Sequence, residues 1–186
     1  MVAAFDIIHD YGGTDATPGT SGVVTAIVFK NADDATTDAT NPIIITAATT
    51  KYSRWKQLYP KCTTAPSVQC DNFRFYTDGS SGLGTGVTLK AGGQFPTKNS
   101  GSSAGYEVAG TADEELVAGH GGITSSASAF TYTSGSPLSV SISEAGSIIN
   151  AINETTNYLC LQMEVVDTAS PGLTAIETLT WAYDEI

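Results

Sequence analysis

The chain has 186 residues, of which 41% are hydrophobic and 15% charged, and carries a formal net charge of −11. That length fits a single domain over residues 1–186, and so much apolar content with so few charges excludes a disordered chain. Surplus acid disfavours nucleic acid as a partner, because neutralising phosphates needs surplus lysine and arginine. No apolar run has the length of a membrane span, so no membrane partner is expected.

Met1–Asp10 carries no basic leader and no small-residue cleavage site, so the chain is expected to be made and folded in a host cytoplasm. Ala4–Tyr11 reads as a first strand, broken by Gly12-Gly13 and again by Pro18-Gly19. Val23–Lys30 is almost continuously apolar, as in a strand buried on both faces. Asn31–Asn41 is a polar turn region, and Pro42 opens a short strand of three isoleucines.

Lys51–Lys61 is the one helical candidate. Tyr52, Trp55 and Tyr59 fall at i, i+3 and i+7, the spacing of an aromatic helix face, and Lys51, Arg54, Lys56 and Lys61 are four of the eight basic residues. All seven are candidates for contact with an acidic partner. The competing reading is a crossover helix sealing one end of the fold, with its lysines in solvent.

Asp71–Asp78 alternates with Phe73 and Phe75 inward. Gly79–Gly86 then returns to a strand at Val87–Lys90, so it reads as a hairpin loop and not as a phosphate cradle, which would lead into a helix. Ala91–Gly122 is a long loop of the kind that carries contacts, with a brief helix expected over Asp113–Ala118 and Thr111 as its N-cap. Phe130–Tyr132 and Pro137–Ser143 are further strands, and Asn150–Asn157 is a polar connection.

The last thirty residues hold the clearest pattern. Leu159, Leu161, Met163 and Val165 alternate with Tyr158, Cys160, Gln162 and Glu164, and Leu179, Trp181 and Tyr183 alternate with Thr178, Thr180 and Ala182. These are the two-residue periods of half-buried strands. Ser170-Pro171-Gly172 lies between them with turn chemistry. The expected fold is all-β: a two-sheet antiparallel β-sandwich, immunoglobulin-like or jelly-roll, with one or two short helices in loops.

Candidate chemistry is sparse. Cys62 and Cys70 are close enough in sequence to bridge, but free thiols are the expectation in a cytoplasm. His9 and His120 stand apart from any nucleophile motif. The acidic pairs Asp33-Asp34, Glu114-Glu115 and Asp184-Glu185 lie in turns or near the end of the sequence. Asp33, Asp34 and Asp38 could offer oxygen ligands to calcium, although without the alternation of a dedicated loop. Asn153-Glu-Thr155 matches a glycosylation acceptor. Tyr158 precedes Cys160 by two, as in a tyrosine corner, yet Val23–Lys30 offers no partner cysteine. No catalytic, cofactor-binding or metal residue is assigned.

Phe29-Lys-Asn-Ala-Asp-Asp34, Asn41-Pro-Ile, Phe73-Arg-Phe-Tyr-Thr-Asp-Gly79, Gly84-Thr-Gly-Val87, Asp167-Thr-Ala-Ser-Pro-Gly172 and Glu177-Thr-Leu-Thr-Trp-Ala-Tyr-Asp-Glu185 together resemble virion-associated structural proteins of tailed phages and related viruses. The resemblance spans most of the chain and is strongest over Asp71–Gly86 and the last thirty residues. It implies a non-enzymatic structural role on the particle: a capsid decoration or auxiliary protein, or else a neck or tail component. The implied partners are other virion proteins, met in many copies or as a homo-oligomer through loops and strand edges. A glycan-binding module is the alternative from another class, with Trp55 beside Tyr52 or Tyr59 as an exposed stacking platform. A hydrolase is the third.

Overall fold

A computed structural model describes residues 2–186. Ten strands form two antiparallel sheets. The larger has the order β2 (Thr17–Val23), β1 (Ala4–Thr14), β4 (Lys56–Thr64), β9 (Leu159–Val165), β6 (Val87–Gly92) and β7 (Ser126–Ser128), and the short β3 (Lys51–Tyr52) also pairs with β9. The smaller sheet has the order β10 (Thr180–Glu185), β5 (Cys70–Tyr76) and β8 (Leu138–Ser139). The expected two-sheet all-β architecture is therefore present.

Strand β9 sits at the centre, bonded to β3, β4 and β6. Its Leu159, Leu161, Met163 and Val165 face the smaller sheet and meet Phe73 and Phe75 in the main core. Each such side chain contributes roughly 1.5–3 kcal/mol by leaving water. The opposite face of β9 differs from the half-buried expectation. Cys160 and Gln162 are as buried as the leucines, because Phe95–Gly122 folds over them. A second cluster of Trp55, Tyr59, Tyr106, Leu116, Ile123 and Tyr158 fills that layer. The large sheet is thus covered on one face by the small sheet and on the other by irregular chain.

Several sequence expectations are corrected. Lys51–Lys61 is not a helix but β3 and β4. Trp55, Gln57 and Tyr59 satisfy a period of two as well as a helical spacing, and Pro60 cannot sit inside a helix. Strand β1 runs through Gly12-Gly13 to Thr14, and Pro18-Gly19 lies within the edge strand β2, where proline is tolerated. Gly13 is required there: at φ +81°, a Cβ would lie 2.3 Å from the Thr17 carbonyl oxygen.

Val24–Lys30 and the three isoleucines form no strand. Val24, Ile27, Phe29, Ile43 and Ile45 instead pack as irregular chain against the main core. Gly79–Gly86 is not a hairpin loop, since it carries the chain from β5 in the small sheet to β6 in the large one. Phe130 lies in a 3-10 turn over Ala129–Thr131, and only Leu138–Ser139 of the next expected strand pairs. The short helix is α1 (Leu116–Gly119), preceded by Glu115 and not capped by Thr111. The two terminal strands belong to different sheets, joined across irregular residues 166–179.

Candidate functional site

The seven predicted contact residues lie on β3, β4 and the link between them, and the fold divides them. Trp55 is only 3% exposed; its indole Nε1–H donates to the Glu107 carbonyl at 2.8 Å and its ring tilts against His120. This burial removes the stacking platform that a glycan-binding reading required. Lys56 is fully buried, with Nζ donating to the Ala32 and Asp34 carbonyls at 3.0 and 2.9 Å. Burial lowers its pKa. Tyr59 is buried as well, with its hydroxyl turned to Asp10, although it lines a surface groove; Trp55 and Lys56 reach no partner at the surface.

Lys51, Tyr52, Arg54 and Lys61 are half-buried. Lys51 pairs with Asp113 at 3.0 Å, and the Arg54 guanidinium donates to the Ala109 carbonyl. Both fasten the covering segment to the sheet. Lys61 has no ion pair among the described residues and borders a surface groove.

Under that cover lies a buried polar group invisible as a sequence motif. The Asp10 carboxylate accepts from the Tyr59 hydroxyl at 3.1 Å and from the Tyr158 hydroxyl at 2.5 Å. The Lys98 ammonium stands 5.1 Å from the Tyr59 ring centroid. Burial is the first cause raising both tyrosine pKa values, and the Asp10 charge adds to it. These hydroxyls therefore remain donors, and the trio ties β1, β4 and the residue before β9 together.

Cys160, His120, Gln57 and Glu107 also converge. His120 Nδ1 accepts from the Gly122 N–H at 3.1 Å, which places the ring proton on Nε2. Nε2 then donates to Gln57 Oε1 at 3.1 Å, with Cys160 Sγ 3.8 Å away. A nucleophilic thiol needs a base or a lowered pKa. Here the nearest ring nitrogen already carries a proton, and burial pushes the thiol up. The cluster is a structural contact.

The acidic run is held by partners from its own chain. The Lys30 ammonium lies between Asp34 and Asp38 at 3.0 and 2.9 Å, while Asp33 turns to accept from the Gly12 N–H and the Tyr106 hydroxyl. Among the described residues no cluster of His, Cys, Asp or Glu is arranged to hold a metal. All three cysteines are buried free thiols, and burial pushes Cys70 up to about 11. His9 is buried beside an opening of about 10 Å³, and its Nε2 has no hydrogen-bond partner among the described residues.

Most of what remains exposed and apolar lies at the two ends of the sandwich. At one end, past Val165, residues 170–176 are exposed in unbroken succession, with Leu173 at 91% and Ile176 at 99%. Ile44 is exposed nearby, in the segment tied to this end by the Ala48 N–H to Asp167. At the other end Val2, Val68 and Ile186 are exposed together, held close by Ala3 to Glu185 and by Gln69 to Ile186. Beside them a groove of about 350 Å³ is lined by Ile8, Val23, Tyr59, Lys61, Ile152 and their neighbours.

Sequence reasoning placed contacts on the aromatic Lys51–Lys61 segment and passed over these ends. A signal was present, since Leu173 and Ile176 are large aliphatics in a stretch otherwise built of Pro, Gly, Ala, Ser and Thr. Comparison with protein-family models, with curated proteins and with solved structures returned no match.

Proposed function

We propose that this chain is a non-enzymatic structural subunit of a tailed-virus particle, a capsid decoration or auxiliary protein present in many copies. Its partners would be other virion proteins and further copies of itself, met through loops and strand edges, and its place is the virion. The observation that carries the reading is the pair Leu173 and Ile176. Two aliphatic side chains stand almost entirely in water on an irregular segment, while the middle of the same sheet is sealed on both faces. Two aliphatic side chains left this far into solvent, three residues apart, offer the apolar anchors that an interaction site uses.

The acidic charge of −11 suits a protein made at high copy number, because net charge keeps free subunits soluble before they assemble. The resemblance of Asp71–Gly86 and the terminal thirty residues to virion-associated proteins points the same way. The test is quantitative mass spectrometry of purified particles from the genome that encodes the chain. Peptides in a fixed copy number relative to the major capsid protein support the proposal, and their absence from particles contradicts it.

A further inference from the structure

We propose that copies of this chain join head to tail, with the Leu173–Ile176 segment of one copy seated in the groove beside Val23 and Ile152 of the next. The inference rests on the multi-copy reading above and names its interface. Three observations carry it.

The first is position. Lys56 lies opposite Leu161 in the sheet. Val165 is four residues away on one side and the groove's Tyr59 three on the other, a separation of roughly 23 Å at the rise of a β-strand. The exposed segment leaves the sheet just beyond Val165, whereas the groove lies around Tyr59–Thr63. The segment is fastened at the Val165 end by the Val166 N–H to the Gly86 carbonyl and by the Gly82 N–H to Glu177. In the folded chain it therefore does not lie in its own groove, and the two meet between copies.

The second is size and chemistry. A groove of about 350 Å³ stands at the small end of the range that takes a compact ligand, roughly 300–1,000 Å³. It suits a pair of aliphatic side chains and not a folded surface. Exposed Val23 and Ile152 flank its buried Ile8 and Tyr59, an apolar strip beside the polar Asp6, Ser21, Lys61, Thr63 and Asn153.

The third is charge. Between Asp167 and Leu179 the only charged residues are acidic, Asp167 and Glu177. The groove's one cation, Lys61, has no ion pair among the described residues, although Asp6 stands across from it on β1. Glu177 is held by the Gly82 N–H through one carboxylate oxygen, and its other oxygen is the counter-charge that the segment offers Lys61. Two unlike patches on opposite ends make a heterologous contact, which closes into a ring or continues as a filament.

Complementary variants test this. Leu173→Asp with Ile176→Asp removes the inserting end, and Val23→Asp with Ile152→Asp removes the receiving end. All four positions are exposed, so folding is expected to persist, and unchanged thermal unfolding checks it. The single variant Leu173→Ser serves as a milder version. Sedimentation velocity of the wild type should show multimers that grow with concentration. Each double variant alone should be monomeric, with the dissociation constant raised at least about a hundredfold. An equimolar mixture of the two should form a heterodimer and nothing larger, because a single intact junction remains.

A wild type monomeric throughout, variants that associate like wild type, or a mixture that stays monomeric would each overturn the inference. A chain monomeric in solution yet present in many copies on particles would end this inference and leave the particle role standing. Head-to-tail multimers absent from particles would support this inference and contradict that role.

Discussion

At the middle of the large sheet, Leu161 and Cys160 are adjacent on β9 and point to opposite faces, and neither is exposed. At the ends of the sandwich, Leu173 and Ile176 on one side and Val2, Val68 and Ile186 on the other lie largely in solvent. The middle accommodates even its charges. Lys56 donates to two carbonyls, Asp10 accepts from two tyrosines, and Lys30 is held between two aspartates. The ends leave aliphatic side chains without neighbours. Buried polar groups that are paired specify one folded state, whereas uncovered apolar groups look outward for a partner. The difference separates what folds this chain from what it meets.

The largest expected effect breaks the sealed middle. Asp10→Ala leaves the Tyr59 and Tyr158 hydroxyls buried without their acceptor, and should lower unfolding stability by about 3–5 kcal/mol. Urea denaturation reads the loss.

Acid comes next. Burial, reinforced by the nearby Lys56 charge, holds His9 down at about 3 against an ordinary value of 6.5. The unfolded chain therefore takes up a proton at His9 below pH 6.5 that the folded chain refuses until about pH 3. Stability is full above pH 6.5 and falls as the pH drops through that window. From pH 7 to pH 4.5 this amounts to roughly 2–3 kcal/mol. His120, also lowered by burial, acts in the same direction. The slope of stability against pH should flatten in His9→Gln, and a slope unchanged by that substitution would contradict the assignment.

The smallest expected change in stability sharpens the contrast from the other side. Leu173→Ser with Ile176→Ser removes two large aliphatics yet should alter unfolding free energy by no more than about 0.5 kcal/mol, as for exposed positions. A loss above about 1.5 kcal/mol would show that these side chains pack within the chain, and the distinction between middle and ends would fail.

The parts legible in the sequence were those where a single period acts alone. Leu159–Val165 and Phe73–Phe75 alternate without a competing pattern, and both form the strands expected of them. Lys51–Lys61 was misread because Trp55 and Tyr59, four apart, fit a helical and a strand period at once, and tertiary pairing with β1 and β9 decides between them. Val24–Lys30 and Ile43–Ile45 were misread because apolar content says only that side chains are covered. It does not say that their backbone joins a ladder.

The Asp10–Tyr59–Tyr158 group could not be read at all, since its members are brought together by the register of strands distant in sequence. The exposed ends were legible in principle at Leu173 and Ile176. The turn chemistry of Ser170–Gly172 drew the reading to the bend and away from the aliphatics that follow it.

Hydrogen–deuterium exchange at low and high protein concentration tests the contrast most directly. On raising the concentration, amides in residues 170–177 and in Lys61–Thr64 with Ile152–Asn153 should gain protection together, while β9 stays equally protected throughout. Protection that appears along the middle of the sheet, at one end alone, or nowhere as concentration rises would contradict the account.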